Sequence, residues 1–157
     1  MTDPNYKLLN SQLHALLDGE RDALAATANF VALLYNALEE INWLGVYVLR
    51  DDELVLGPFQ GKPACVHIAL DEGVCGAAAS TLQTQRVADV HAFPGHIVCD
   101  PDSRSELVVP LFSHGQLIGV LDIDSPLTRR FSEADQSGVE KLCDSFCEMQ
   151  EQRKYFI

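Results

Sequence analysis

Residues 93–126 read FPGHIVCDPDSRSELVVPLFSHGQLIGVLDIDSP, and the second half of that run decides the fold. Glu106–Phe112 and Gln116–Ile123 are rich in Val, Leu and Ile, the composition of paired strands. Ser113, His114 and Gly115 between them are turn formers, so the two strands fold back as a hairpin. A pair joined this tightly is antiparallel. The first half of the run lacks any sustained period. Residues 89–104 carry Pro94, Gly95 and Pro101 among aspartates and histidines. An irregular stretch of that length inside a compact domain is usually functional or disordered.

Towards the N-terminus, Arg86–Ala88 reads as a brief strand. Gly73–Leu82 reads as a short helix with Cys75 in its first turn, and Cys65–Leu70 as a strand. Residues 57–64, GPFQGKPA, hold two glycines and two prolines and are expected to form a loop. Glu53–Leu56 and Trp43–Leu49 read as strands joined at Asp51-Asp52. A helix from about Arg21 to Glu40 carries an apolar stripe of Ala23, Leu24, Ala28, Val31, Leu34, Tyr35 and Leu38. An earlier helix places Tyr6, Leu9, Leu13, Leu16 and Leu17 on one face, with Asp3-Pro4 as its expected start and Gly19 as its end. After the hairpin, Ser132 is expected to cap a last helix that runs to about Lys154, with Glu133 and Asp135 in its first turn. Strands linked by short turns and flanked by helices predict an α+β fold: a mainly antiparallel central sheet with the N- and C-terminal helices packed on one face. No repeat or linker divides the chain, so one domain is expected over residues 1–157.

The net charge of −12 disfavours nucleic acid and anionic membranes as partners. It favours a cationic or zwitterionic ligand. No apolar run reaches the length of a membrane span, and MTDPNYKLLNSQLHALL lacks the order of a signal peptide, so a cytoplasmic location is expected. There, five cysteines do not suggest a structural disulfide framework, and an odd count cannot pair completely.

Cys143 and Cys147 lie four apart on the last helix, on the face of Val139 and Phe146, and read as core packing. Cys65, Cys75 and Cys99 stand in other settings. Cys99 lies in the irregular loop beside His96 and Asp100. Cys65 ends a Gly/Pro-rich loop, and Cys75 opens a helix, where the dipole favours a thiolate. From the residues alone, three independent buried cysteines remain an equal reading. A Cys₃His zinc set using His96 or His67 is a third, without the Cys-x₂-Cys spacing of strong zinc motifs. Asp122 and Asp124, two apart on a strand, point to the same side, and the hairpin brings Glu106 roughly opposite them. Such a trio either faces water or surrounds a cation or shared proton. Thiols in so acidic a setting point to sulfur redox chemistry on a small cationic substrate.

The segments GPFQGKPAC (57–65), GVCG (73–76), DVHAFPGHIVCD (89–100), S-x-SELVVP (103–110) and IGVLDIDSP (118–126) resemble the free methionine-(R)-sulfoxide reductases, single GAF-like domains. The resemblance covers about residues 20–150, in order. It implies reduction of free methionine sulfoxide with Cys99 as nucleophile, Cys65 as resolving thiol and Cys75 as an auxiliary cysteine. It implies a substrate pocket lined by Glu106, Asp122, Asp124, Trp43 and Tyr47, no bound cofactor or metal, and reducing equivalents from thioredoxin and NADPH. The terminal helices offer a surface for a homodimer. GAF-like domains also serve as small-molecule sensors, so a binding domain without chemistry is the alternative.

Overall fold

In the computed structural model, which describes residues 3–153, the chain runs α1 (Tyr6–Leu17), α2 (Ala23–Ala37), β1 (Trp43–Arg50), β2 (Glu53–Gly61), β3 (His67–Ala69), α3 (Gly73–Thr81), β4 (Gln85–Val87), β5 (Ser105–Ser113), β6 (Gln116–Ser125) and α4 (Glu133–Gln150). The strands form one sheet in the order β3-β2-β1-β6-β5-β4, each neighbouring pair antiparallel. This is the expected α+β arrangement. The central hairpin closes with Ser113 opposite Gln116. His114 and Gly115 both take positive φ, the turn whose twist matches that of the strands it joins.

Side-chain alternation gives the sheet two different faces. Leu44, Val46, Leu107, Val109, Leu121 and Ile123 point towards α1, α2 and α4 and join Leu13, Phe30, Leu34 and Phe146 in the main core. The Phe30 and Phe146 rings stack at 4.1 Å and lock α2 to α4. The opposite face carries Trp43, Tyr47, Val108 and Val120, covered by Val74, Cys75, Ala78 and Ala79 of α3. Ser132 caps α4 as expected, in a reciprocal capping box with Asp135. Asp135 also accepts from the Tyr6 hydroxyl and pairs with the buried Arg130 at 3.1 Å, which ties α1 to the start of α4.

Several boundaries depart from the sequence reading. The largest departure is at residues 57–64, expected to be a loop, where β2 instead continues to Gly61. The pairing with β1 shifts register between Gly45 and Tyr47, so Gly57 and Pro58 together oppose Val46 in a β-bulge. A bulge tolerates a proline because the ladder asks no N–H of it there. At the N-terminus, Asn5 rather than Asp3 caps α1, its side chain accepting from the Leu8 N–H. Asp22 caps α2, so that helix begins two residues later and ends three residues earlier than expected. Its buried face is Ala23, Ala26, Thr27, Phe30, Val31 and Leu34, while Leu24 and Ala28 face outward. Thr27 can be buried because its hydroxyl donates to the Ala23 carbonyl at 2.7 Å. The expected strand over Cys65–Leu70 shortens to β3, leaving Cys65 in the preceding loop. The expected helix end at Lys154 lies outside the described residues, and α4 ends at Gln150.

Gly45 sets the site-facing surface of β1. A Cβ there would come within 2.5 Å of both the Trp43 ring and Phe59. Trp43 stacks on Phe59 at 5.4 Å and on Tyr47 at 5.8 Å, so it has no free direction in which to yield. We expect Gly45→Ala to cost about 1–3 kcal/mol by overpacking. Denaturant unfolding checks the magnitude, and loss of near-ultraviolet circular dichroism would show the displaced indole.

Candidate active site

The register of three adjacent strands builds the acidic floor. Trp43 lies opposite Asp124 on one side, and Glu106 opposite Asp124 on the other. In the next row Asp122 has Gly45 and Val108 as neighbours. The period of two therefore sends Glu106, Asp122 and Asp124 to the same face. Cys75, in the first turn of α3, meets them from above, its thiol 4.0 Å from Glu106 Oε1. Glu106 and Asp122 are each only 6% exposed, which rules out solvent-facing acids at a strand end.

A cavity of roughly 550 Å³, its open mouth included, extends from this floor. Its walls are Trp43 and Tyr47 from β1, Val74 and Cys75 from α3, and Ile97, Cys99, Asp100 and Ser103 from the long loop. The Trp43 indole N–H donates to the Lys62 carbonyl at 3.1 Å, and the Tyr47 hydroxyl to the Cys65 carbonyl at 2.9 Å. These two bonds hold the loop that carries Cys65 against the sheet. On the other side of the mouth, Asn42 donates to Asp100 at 3.1 Å and to Ser103 at 3.2 Å, anchoring the loop that carries Cys99. Cys65 and Cys99 are joined by a disulfide, with α-carbons 5.7 Å apart. Cys75, Cys143 and Cys147 are free and buried.

All eight predicted site residues therefore meet at one place, seven on the cavity wall and Cys65 bonded to the seventh from outside. The Cys₃His zinc set does not assemble: two of its thiols are bonded to each other, and His67 pairs with Glu53 at 2.9 Å. Sequence reasoning did not select Asp100, Ser103, Ile97 or Asn42. Asp100 is next to Cys99 and was within reach of a reading centred on that cysteine. The others join the site only through the path of the loop.

Electrostatically the floor is under strain. Burial pushes the Glu106 carboxyl well above the usual range, and the neighbouring Asp122 and Asp124 push it further. Burial also raises Asp122, although the adjacent Glu106 and Cys75 side chains act to lower it. Asp124 is raised by burial, then by Asp122 and Asp100. Burial and the same three acids drive the Cys75 thiol well up. His96, at the mouth, is lowered by burial and by His91. Among the described residues, no lysine or arginine pairs with the three carboxylates; the ion pairs lie elsewhere. The pocket thus holds protons that neutral pH would normally remove, or it waits for a cation. Either state suits a ligand with a positive end, and a carboxyl that keeps its proton can act as an acid.

Residues 12–147 match the GAF domain family. Over 137 residues, 87% of this chain and 83% of the relative, the sequence is 54% identical to the free methionine-R-sulfoxide reductase of Escherichia coli strain K12. The fold superposes on the reduced form of fRMsr of Staphylococcus aureus with a TM-score of 0.91 and 49% identity, covering 95% of this chain and 99% of that one. It superposes on free methionine-R-sulfoxide reductase from Neisseria meningitidis in complex with its substrate with a TM-score of 0.90 and 42% identity, covering 94% and 89%.

The raised carboxyls have a consequence for stability. A group whose pKa is higher folded than unfolded stabilises fully below its unfolded value, near pH 4, and that contribution is lost as pH rises through the folded value. We expect the disulfide form to lose unfolding free energy from pH 5 to pH 7, by up to about 1.4 kcal/mol per pH unit for each carboxyl that stays protonated. Glu106→Gln removes one ionisation and relieves its neighbours, so its slope should be shallower. Urea unfolding of both proteins at the two pH values measures the difference, and equal slopes would contradict the assignment.

Proposed function

Because the chain belongs to the GAF-domain family, and within it to the free methionine-R-sulfoxide reductases, we propose that residues 1–157 act as one catalytic domain that reduces free methionine-(R)-sulfoxide with its own cysteines. The observation that carries the reading is the Cys65–Cys99 disulfide at the mouth of a pocket whose floor is acidic. Cys99 is the nucleophile, since it lines the cavity while Cys65 does not. Its thiolate attacks the sulfoxide sulfur while a floor carboxyl protonates the oxygen; the hydroxyl then passes to the Cys99 sulfur as the bond between the two sulfurs breaks, so methionine leaves and Cys99 becomes a sulfenic acid. The Cys65 thiol then displaces water from that sulfenic acid to give the disulfide. A dithiol reductant reopens it by exchange and is itself oxidised. We assign that role to thioredoxin, supplied by NADPH in the cytoplasm.

While the pocket is empty the floor opposes this chemistry, because nearby negative charge holds a thiol protonated. The substrate ammonium resolves the conflict. It neutralises part of the cluster formed by Glu106, Asp122 and Asp124, which lets Cys99 ionise once the pocket is filled. Trp43 and Tyr47 flank the substrate on the β1 side. Cys75 stays a thiol beside the acids. A domain that only sensed a ligand would have no use for a pair of bonded cysteines at its mouth. Exposed Leu8 and Leu16 on α1 and Leu24 on α2 support pairing of two chains through this helical face.

The reading is tested by thioredoxin-coupled NADPH consumption with free methionine-(R)-sulfoxide, which Cys99→Ser should abolish. Blocking the substrate amine by N-acetylation should cost roughly 2–5 kcal/mol, thirtyfold to several thousandfold in kcat/KM, because a buried charge loses its partner. Turnover of the acetylated substrate at the same rate would remove the carboxylates from the substrate-binding role.

A further inference from the structure

Cys75, Glu106 and Asp122 each direct one donor atom into a common space, and the three atoms lie within 4.8 Å of one another. Their residues are 4%, 6% and 6% exposed. A tetrahedral zinc ion with Zn–S near 2.3 Å and Zn–O near 2.1 Å holds its sulfur and oxygen ligands about 3.6 Å apart. The Cys75 thiol and Glu106 Oε1 stand at 4.0 Å, so a shift of a few tenths of an ångström would bring both into ligand range. An independent observation also points to a ligand. Asp122 Oδ1 is buried with no hydrogen-bond partner among the described residues, although a buried carboxylate oxygen normally has one.

We propose that this floor is a binding site for one borderline-soft divalent cation, zinc above all, held by Cys75 Sγ and by one carboxylate oxygen each of Glu106 and Asp122. The donor set selects the metal. One sulfur and two oxygens suit zinc, whereas calcium and magnesium require shells of six or more oxygens. Asp124, the next acid along β6, adds charge without needing to coordinate. Cys75 takes no part in the disulfide, so the site exists whichever redox state Cys65 and Cys99 hold. Zinc on this floor occupies the place assigned above to the substrate ammonium. It therefore excludes substrate and acts as a reversible inhibitor that a chelator removes. The competition rests on that reading of the pocket, whereas the binding does not.

The test uses the full chain with the Cys65–Cys99 bond closed, so that neither sulfur can take metal. Zinc titrated against a chromophoric chelator should bind at one ion per chain. Affinity should fall at least tenfold in Cys75→Ser and in Asp122→Asn, and stay unchanged in Cys143→Ala/Cys147→Ala, which removes the other free thiols. Cobalt in place of zinc should give a sulfur-to-metal charge-transfer band in that double variant. The band reports coordination by Cys75 even if the Cys75 and Asp122 variants fail to fold. Absence of stoichiometric binding, binding without the band, or affinity unchanged by both single substitutions would overturn the site. In Cys65→Ala/Cys99→Ala, whose mouth carries neither disulfide nor thiol, free methionine should weaken zinc binding several-fold. Zinc held there regardless of methionine would keep the metal site and overturn the ammonium's place on the floor.

Discussion

The constraint on which the site depends is that the fold brings three carboxyls and a thiol together out of water, with no lysine or arginine among the described residues paired to them. Taking one carboxylate out of water costs several kcal/mol even after relaxation, and like charges side by side add to it. Burial pushes Glu106, Asp122, Asp124 and Cys75 all in the direction of keeping a proton, which lessens this cost. A pocket built this way is receptive to positive charge. An ammonium or a metal ion entering it does more than meet a complementary surface: it changes which groups carry protons.

The rest of the structure serves to hold that cluster in place. A period of two sends the acids to one face only because β1, β6 and β5 are in the register observed, and a slip of one residue would turn them into the apolar core. The tight His114-Gly115 turn fixes one of those registers. The bulge at Gly57-Pro58 bends β2, and from its far end the chain enters the loop bearing Cys65. Trp43 and Tyr47 then hold that loop through its carbonyl groups. The same two aromatic residues thus line the pocket and set the position of the cysteine at its rim.

Much of this was legible in the sequence, for identifiable reasons. The hairpin carries its own turn signal and alternation, so its pairing, and the meeting of Glu106 with Asp124, followed from residues 105–125 alone. The extension of β2 through GPFQG was not legible, because glycine and proline counts report local preference, and what rescued the strand was a bulge defined by its partner. The buried face of α2 is legible only in part, through Ala23, Val31, Leu34 and Leu38, for another reason. Its residues are apolar nearly all round, so periodicity gave little direction, and a threonine that satisfies its own hydroxyl was passed over. The residues that the loop adds to the site, Ile97 and Ser103 among them, belong to it only because Asn42 and the disulfide fix the path of the chain.

The division of labour proposed for the three site cysteines draws on the same electrostatics. A thiol acts as a nucleophile through its thiolate. Cys75 lies on the floor against Glu106, where burial and all three acids push its thiol well up. An attacking sulfur has to come from elsewhere. It has to reach the substrate on the side away from the ammonium, and then to find a partner outside the pocket once it has taken up oxygen. A cysteine on a loop at the mouth meets both requirements, because a loop can present its sulfur inward for attack and outward for bonding without disturbing the sheet. Cys99 has that position, and Cys65, held across the rim by the Tyr47 hydroxyl, is within bonding distance of it. In the proposed mechanism, the acids that raise a neighbouring thiol also favour a loop cysteine as the one that reacts.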